Sequence, residues 1–117
     1  MSDFITWDSG KREEYASGMV RDTQNDKVRY DLVDFPMLQR WAELMTRGAV
    51  KYGPDNWKKA SSAAELDRFR ASALRHMYQW LYDIDSDEDH AAAVYFNIAG
   101  AEMVREKLKG INGPLPF

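Results

Sequence analysis

The run DFPMLQRWAELMTRGAVKYGP, residues 34–54, decides the fold. Met37, Leu38, Trp41, Leu44, Met45, Gly48, Ala49 and Tyr52 recur in it at three- and four-residue spacing, which gathers them on one face of an α-helix. Asp34 is suited to cap that helix, Pro36 is tolerated in its first turn, and Gly53-Pro54 stops it.

Working outward, two further helices follow the same logic. Ser62 with Glu65 three residues on is a capping-box pattern, and Leu66, Phe69, Ala73, Met77, Trp80 and Leu81 make the apolar face of a helix ending near Tyr82 or Asp83. Residues 55–60 between them read as a loop. The third helix is expected to be capped by Ser86, with Asp89 at its third position, and to run to about Lys109 before Gly110 and Gly113-Pro114 end it. Upstream, residues 1–27 are polar and mixed in charge and read as an irregular, partly ordered lead. In residues 27–33 Val28, Tyr30 and Leu32 alternate with Arg29 and Asp31, which predicts an extended segment without an evident partner strand. The expected architecture is therefore all-α: a bundle of about three long helices over 28–117 with an extended N-terminal arm.

Composition narrows the function. A chain of 117 residues, 44% hydrophobic and 30% charged, has the make-up of one soluble globular domain. Sixteen Lys and Arg against 19 Asp and Glu leave a net charge of −3, a poor balance for polymeric nucleic acid. Cys is absent, which removes disulfides and thiolate chemistry and favours a cytoplasmic setting (a host's, if the chain is phage-encoded). No apolar run reaches signal-peptide or membrane-spanning length, so no membrane partner is expected.

Polar residues that break the apolar pattern are the candidates for chemistry. His90, Val94, Asn97, Ala101, Val104 and Leu108 share one face of the third helix, and two of the six are polar. His90 and Asn97 are either satisfied core residues that fix register or members of a site. His76 sits on the core side of the second helix with the same two readings, next to the polar row Arg68, Ser72, Arg75 and Gln79. Glu43 lies beside the apolar stripe of the first helix, four residues from Arg47. Residues 83–89, DIDSDED, hold five acids and no base, more than a helix dipole needs; a Mg²⁺ or Mn²⁺ ion would relieve their repulsion. There is no Walker loop, HExxH or nucleophile elbow, and Asp89-His90 reverses the order of an HD motif.

The pattern RGAxKYGxxNW in residues 47–57, then Arg75-His76, then DEDHxxxxxFN in 87–97, resembles the phage and prophage dATP/dGTP diphosphohydrolases. These MazZ-like proteins belong with the all-α, MazG-like nucleotide pyrophosphohydrolases. The resemblance covers roughly residues 19–106. It implies a helical, usually homo-oligomeric fold and Mg²⁺-dependent cleavage of a nucleoside triphosphate, with a purine deoxynucleotide as substrate, to monophosphate and pyrophosphate. The MazG-like EExxE motif is reduced here to Glu43, after Gln39 and Arg40, and His90-Ala91-Ala92-Ala93 stands at ExxD. On this reading Glu43, Asp87, Glu88 and His90 hold the metal, with Asp87 and His90 three apart on one helical face. Glu43, His90 and Asn97 serve catalysis; Arg47, Lys51, Arg75 and His76 meet phosphates; Asn56 and Trp57 meet the base. The thinned acidic motifs leave a rival reading open, a non-catalytic nucleotide-binding or helical interaction module.

Overall fold

The structure is a computed structural model that describes residues 10–23 and 26–112. The chain divides into two compact units at Asp34/Phe35. Residues 1–9 and 24–25 of the expected lead, and the tail from Gly113, lie outside the described residues.

In the first unit, strands β1 (Arg12–Glu14) and β2 (Val20–Asp22) pair antiparallel, with Glu13 opposite Arg21. Gly18, at φ 90, makes the turn between them in a conformation that favours glycine. The irregular lead expected over 1–27 thus contains a hairpin; three-residue strands are too short to show alternation. The extended segment expected at 27–33 is instead a 3-10 turn over Tyr30–Leu32. Arg29 donates to both carboxylate oxygens of Asp31 at 2.8 and 2.7 Å, which folds the segment on itself, and no neighbouring strand among the described residues offers ladder hydrogen bonds.

The second unit is three helices: α1 (Phe35–Tyr52), α2 (Ala63–Leu81) and α3 (His90–Asn112). A 3-10 turn over Asn56–Lys59 joins α1 to α2. The fold is mainly α, as the sequence predicts. Ser62 caps α2 through the full capping box: its Oγ accepts from the Glu65 amide, and Glu65 accepts from the Ser62 amide. The α3 start differs from expectation. Asp89, not Ser86, is the cap, accepting from the Ala92 amide at 3.1 Å. Asp83 and Asp85 both take left-handed backbone (φ 53 and 51), so 83–89 is a turn rather than the first helical turn. Asp87 and Glu88 are therefore not helical, and Asp87 does not share a helical face with His90.

Helices α2 and α3 pack along their length, and α1 lies on α3. The core is small: Ala60, Leu66, Ala101 and Val104, flanked by Phe69, Met103 and Leu108. All six members of the α3 seam face inward, His90 and Asn97 included, and Val104 is fully buried. Trp80 and Leu81, expected on the buried face of α2, are each 53% exposed. Lys107 fastens the connecting turn to α3 by donating to the Lys58 and Ala60 carbonyls. No helix among the described residues is long and apolar enough to cross a membrane.

Gly100 sits mid-helix in α3, where glycine is unfavourable by about 1 kcal/mol relative to alanine. The compensating gain is space: a Cβ there would lie 2.7 and 2.8 Å from Cζ and Cδ1 of Phe69 on α2. Gly100→Ala is therefore expected to destabilise the fold by about 1–3 kcal/mol despite its better helix propensity. Urea unfolding measures this, and Phe69→Leu in the Gly100→Ala background should recover part of the loss.

Candidate functional site

Among the described residues of the second unit, two concavities gather the polar side chains of interest. A hollow of about 330 Å³ is lined by Arg40 from α1, Gln79 and Trp80 from α2, and the acidic turn with the start of α3. A cleft of about 730 Å³ is lined by the C-terminal half of α1, the connecting turn, the first turns of α2 and Phe96 of α3. They share no lining residue.

Behind the hollow lies a buried histidine pair. His76 is 6% exposed and His90 4%. Their Nδ1 atoms are 2.9 Å apart. His90 Nε2 is 2.8 Å from the Ile84 carbonyl oxygen and 2.9 Å from that of Asp85. Carbonyls only accept, so His90 Nε2 carries the proton and, in the neutral ring, its Nδ1 accepts. His76 Nδ1–H is then the donor, and His76 Nε2 accepts from Arg75 Nη2 at 3.4 Å. Burial first, then the charge of Arg75, push the His76 imidazole below its ordinary pKa, against an opposing pull from Glu88. The Glu88 carboxylate lies 3.9 Å from His76 Nδ1. The two carbonyl bonds also pin the left-handed turn that carries the acids.

Asp89 closes the hollow toward α1. Arg40 donates to both its oxygens, at 2.9 and 2.7 Å, and this hydrogen bonding holds the Asp89 carboxyl below the usual carboxylate range. Gln79 Nε2 donates to Asp85 at 3.3 Å, whereas the buried Gln79 Oε1 has no hydrogen-bond partner among the described residues.

The cleft is apolar below and cationic above. Phe96 stands edge-on to Trp57 (5.8 Å) and to Phe69 (6.0 Å), making an aromatic floor. Arg47, Lys51, Lys59 and Arg68 supply the positive rim, with Glu65 the one lining carboxylate.

Of the residues singled out from the sequence, Arg47, Lys51, Asn56 and Trp57 line the cleft together. Asp87, Glu88 and His90 line the hollow. Arg75 and His76 are on α2, away from the cleft lining, and His76 belongs with His90. Glu43 lines neither cavity; it is exposed on α1, where Gln39 donates to it at 3.4 Å. Asn97 is buried and donates back to the Ala93 carbonyl of its own helix at 2.8 Å. Sequence reasoning missed the Arg40–Asp89 pair and Lys59, and it gave Gln79, Phe69 and Phe96 no place in a site. Arg40 and Asp89 are 49 positions apart, and no local spacing could have joined them.

Comparison with known families bears directly on this arrangement: the family described as dATP/dGTP diphosphohydrolase, N-terminal, matches residues 17–111. The chain belongs to that family. The match runs through all three helices and so takes in both the cleft and the hollow. No curated protein and no solved structure matches the chain. The family is one of nucleotide diphosphohydrolases, and the matched part is its N-terminal domain.

In this diphosphohydrolase-family domain Asp89 does two jobs, which substitutions separate. Asp89→Asn keeps the capping oxygen and loses the ion pair with half-exposed Arg40, so it should cost well under about 1 kcal/mol. Asp89→Ala loses both and should cost about 1–2 kcal/mol. Urea unfolding of the two variants checks the order.

Proposed function

We propose that the domain hydrolyses purine deoxynucleoside triphosphates, dGTP and dATP, to the monophosphate and pyrophosphate, with Mg²⁺. The observation that carries this is the cleft: an aromatic floor under four cations, of a volume usual for small-ligand sites, in a chain of this family. The purine would lie against Trp57 and Phe96, with Asn56 at its edge. Arg47 and Lys51 would take the phosphates.

Helix α1 connects the two concavities. Arg40 lines the hollow and Arg47 the cleft, two turns or about 10 Å apart along the axis. Arg47 is also close enough to lower the Asp89 pKa. A triphosphate laid along α1 would pass from the cleft toward the acids. Glu43 stands between the two arginines, three residues after one and four before the other. It is the base best placed to accept the proton of the attacking water as the water oxygen bonds to the α-phosphorus and the pyrophosphate oxygen leaves.

The hollow suits Mg²⁺ delivered with the triphosphate. Asp83 and Asp87 offer hard oxygens, and the unpartnered Gln79 Oε1 can accept from a water that such an ion retains. When bound, Mg²⁺ would supply charge neutralisation at the phosphates. His90, through its carbonyl bonds to Ile84 and Asp85, would act by holding those carboxylates in place.

We further propose a homo-oligomer. Leu74 and Tyr78 on α2 and Tyr82 at its C-terminal cap form an exposed apolar row, and Tyr95 and Ile98 are half-exposed on α3. Rows of this kind mark interfaces. Light scattering should give at least a dimer mass, reduced to monomer in Tyr78→Glu with helicity kept; a monomeric wild type contradicts this.

The activity test is a panel of NTPs and dNTPs with Mg²⁺ or Mn²⁺, reading pyrophosphate. Glu43→Gln should lower kcat by about 10²–10⁴ with little change in KM. Lys51→Ala should mainly raise KM. Pyrophosphate from no nucleotide would leave a binding module.

A further inference from the structure

We infer that His76, His90 and Glu88 form a site for a divalent transition metal of the zinc class (Zn²⁺, Fe²⁺ or Co²⁺), occupied independently of nucleotide. The nitrogen, nitrogen and oxygen ligand atoms of these three residues lie within 4.8 Å of one another. Both histidines are more than nine-tenths buried, whereas Glu88 is exposed and can close over them.

The donor set selects the metal. Two imidazoles and one carboxylate, with open positions left, is the ligand combination of catalytic zinc and of non-haem ferrous sites. Mg²⁺ prefers oxygen and keeps its waters, so it is poorly served by two buried nitrogens. The ion is therefore different in kind from the one proposed for the carboxylates of the hollow.

The spacing suits a shared ion. Two nitrogens bound at about 2.1 Å to one tetrahedral metal are roughly 3.4 Å apart; the Nδ1 atoms, 2.9 Å apart, need separate by only about half an ångström. In the structure the rings meet head-on, with centroids 5.2 Å apart and a proton between the nitrogens. Metal binding replaces that proton, and each ring pivots so that both lone pairs converge on the Glu88 side. The pivot retains the bonds from His90 Nε2 to the Ile84 and Asp85 carbonyls, the outer support that metal-bound imidazoles ordinarily have. His76 Nε2 then carries the hydrogen, and the exposed Arg75 side chain, held at only 3.4 Å, moves off.

The chain has two histidines, so an imidazole ¹⁵N spectrum of tag-free protein reads this pair alone. Chelator-treated protein is titrated with Zn²⁺. The Nδ1 resonances of both histidines should move together and saturate at one ion per chain, with millimolar Mg²⁺ leaving them in place. Co²⁺ should give visible absorption that Zn²⁺ abolishes. Glu88→Gln, a change at an exposed side chain that leaves the core intact, should weaken binding by about 10-fold or more. Resonances unmoved by Zn²⁺ in the folded protein overturn the inference. So does an equal response to Mg²⁺, or wild-type affinity in Glu88→Gln. None of these readings uses nucleotide turnover, so the fate of the hydrolase proposal is decided separately.

Discussion

The close approach of α2 and α3 at Gly100 is the constraint on which the rest depends. With no Cβ at that position, the Phe69 ring of α2 lies against the α3 backbone. Phe69 in turn meets Phe96, and Phe96 meets Trp57, so one aromatic series runs from the helix interface into the floor of the cleft. The same packing brings His76 of α2 to hydrogen-bond distance from His90 of α3. A side chain at position 100 would push the helices apart and loosen both features at once. That explains why a residue poorly suited to helices occupies the middle of the longest one.

Much of this was legible in the sequence, for identifiable reasons. The α2 cap is a local device, and Ser62 with Glu65 announced it within four residues. The seam from His90 to Leu108 was visible because 3.6-residue periodicity is a property of one helix alone. The cleft residues Arg47, Lys51, Asn56 and Trp57 fell within one short motif. What escaped was tertiary or conformational. Gly100 has meaning only beside Phe69. Arg40 looked like the loss of a metal-binding acid, and its partner Asp89 is the cap of another helix. The helix start moved from Ser86 to Asp89 because Asp83 and Asp85 adopt left-handed backbone, which no spacing rule foresees. The Arg29–Asp31 ion pair likewise turned an alternating, strand-like run into a 3-10 turn.

Charge is sorted along the second unit. The cleft rim is cationic, the hollow is acidic, and α1 carries Arg40, Glu43 and Arg47 between them. With net charge of only −3, the segregation is local rather than global. On the proposed reading it suits a polyanion that arrives with its own cation: the phosphates would meet arginine and lysine, and the cation would meet carboxylates. The Arg40–Asp89 pair spans the junction and ties α1 to the cap of α3. The histidine pair sits behind the acids, and its His90 ring holds the turn that presents them through the Ile84 and Asp85 carbonyls.

The most direct measurement of the central claim is a crystal structure of the chain with Mg²⁺ and a dGTP analogue whose α–β bridge is methylene. The account predicts the purine against Trp57 and Phe96, phosphates at Arg47 and Lys51, and the triphosphate running along α1 past Glu43 toward Arg40. A nucleotide bound at another surface, with the cleft between α1 and Phe96 empty, would contradict it.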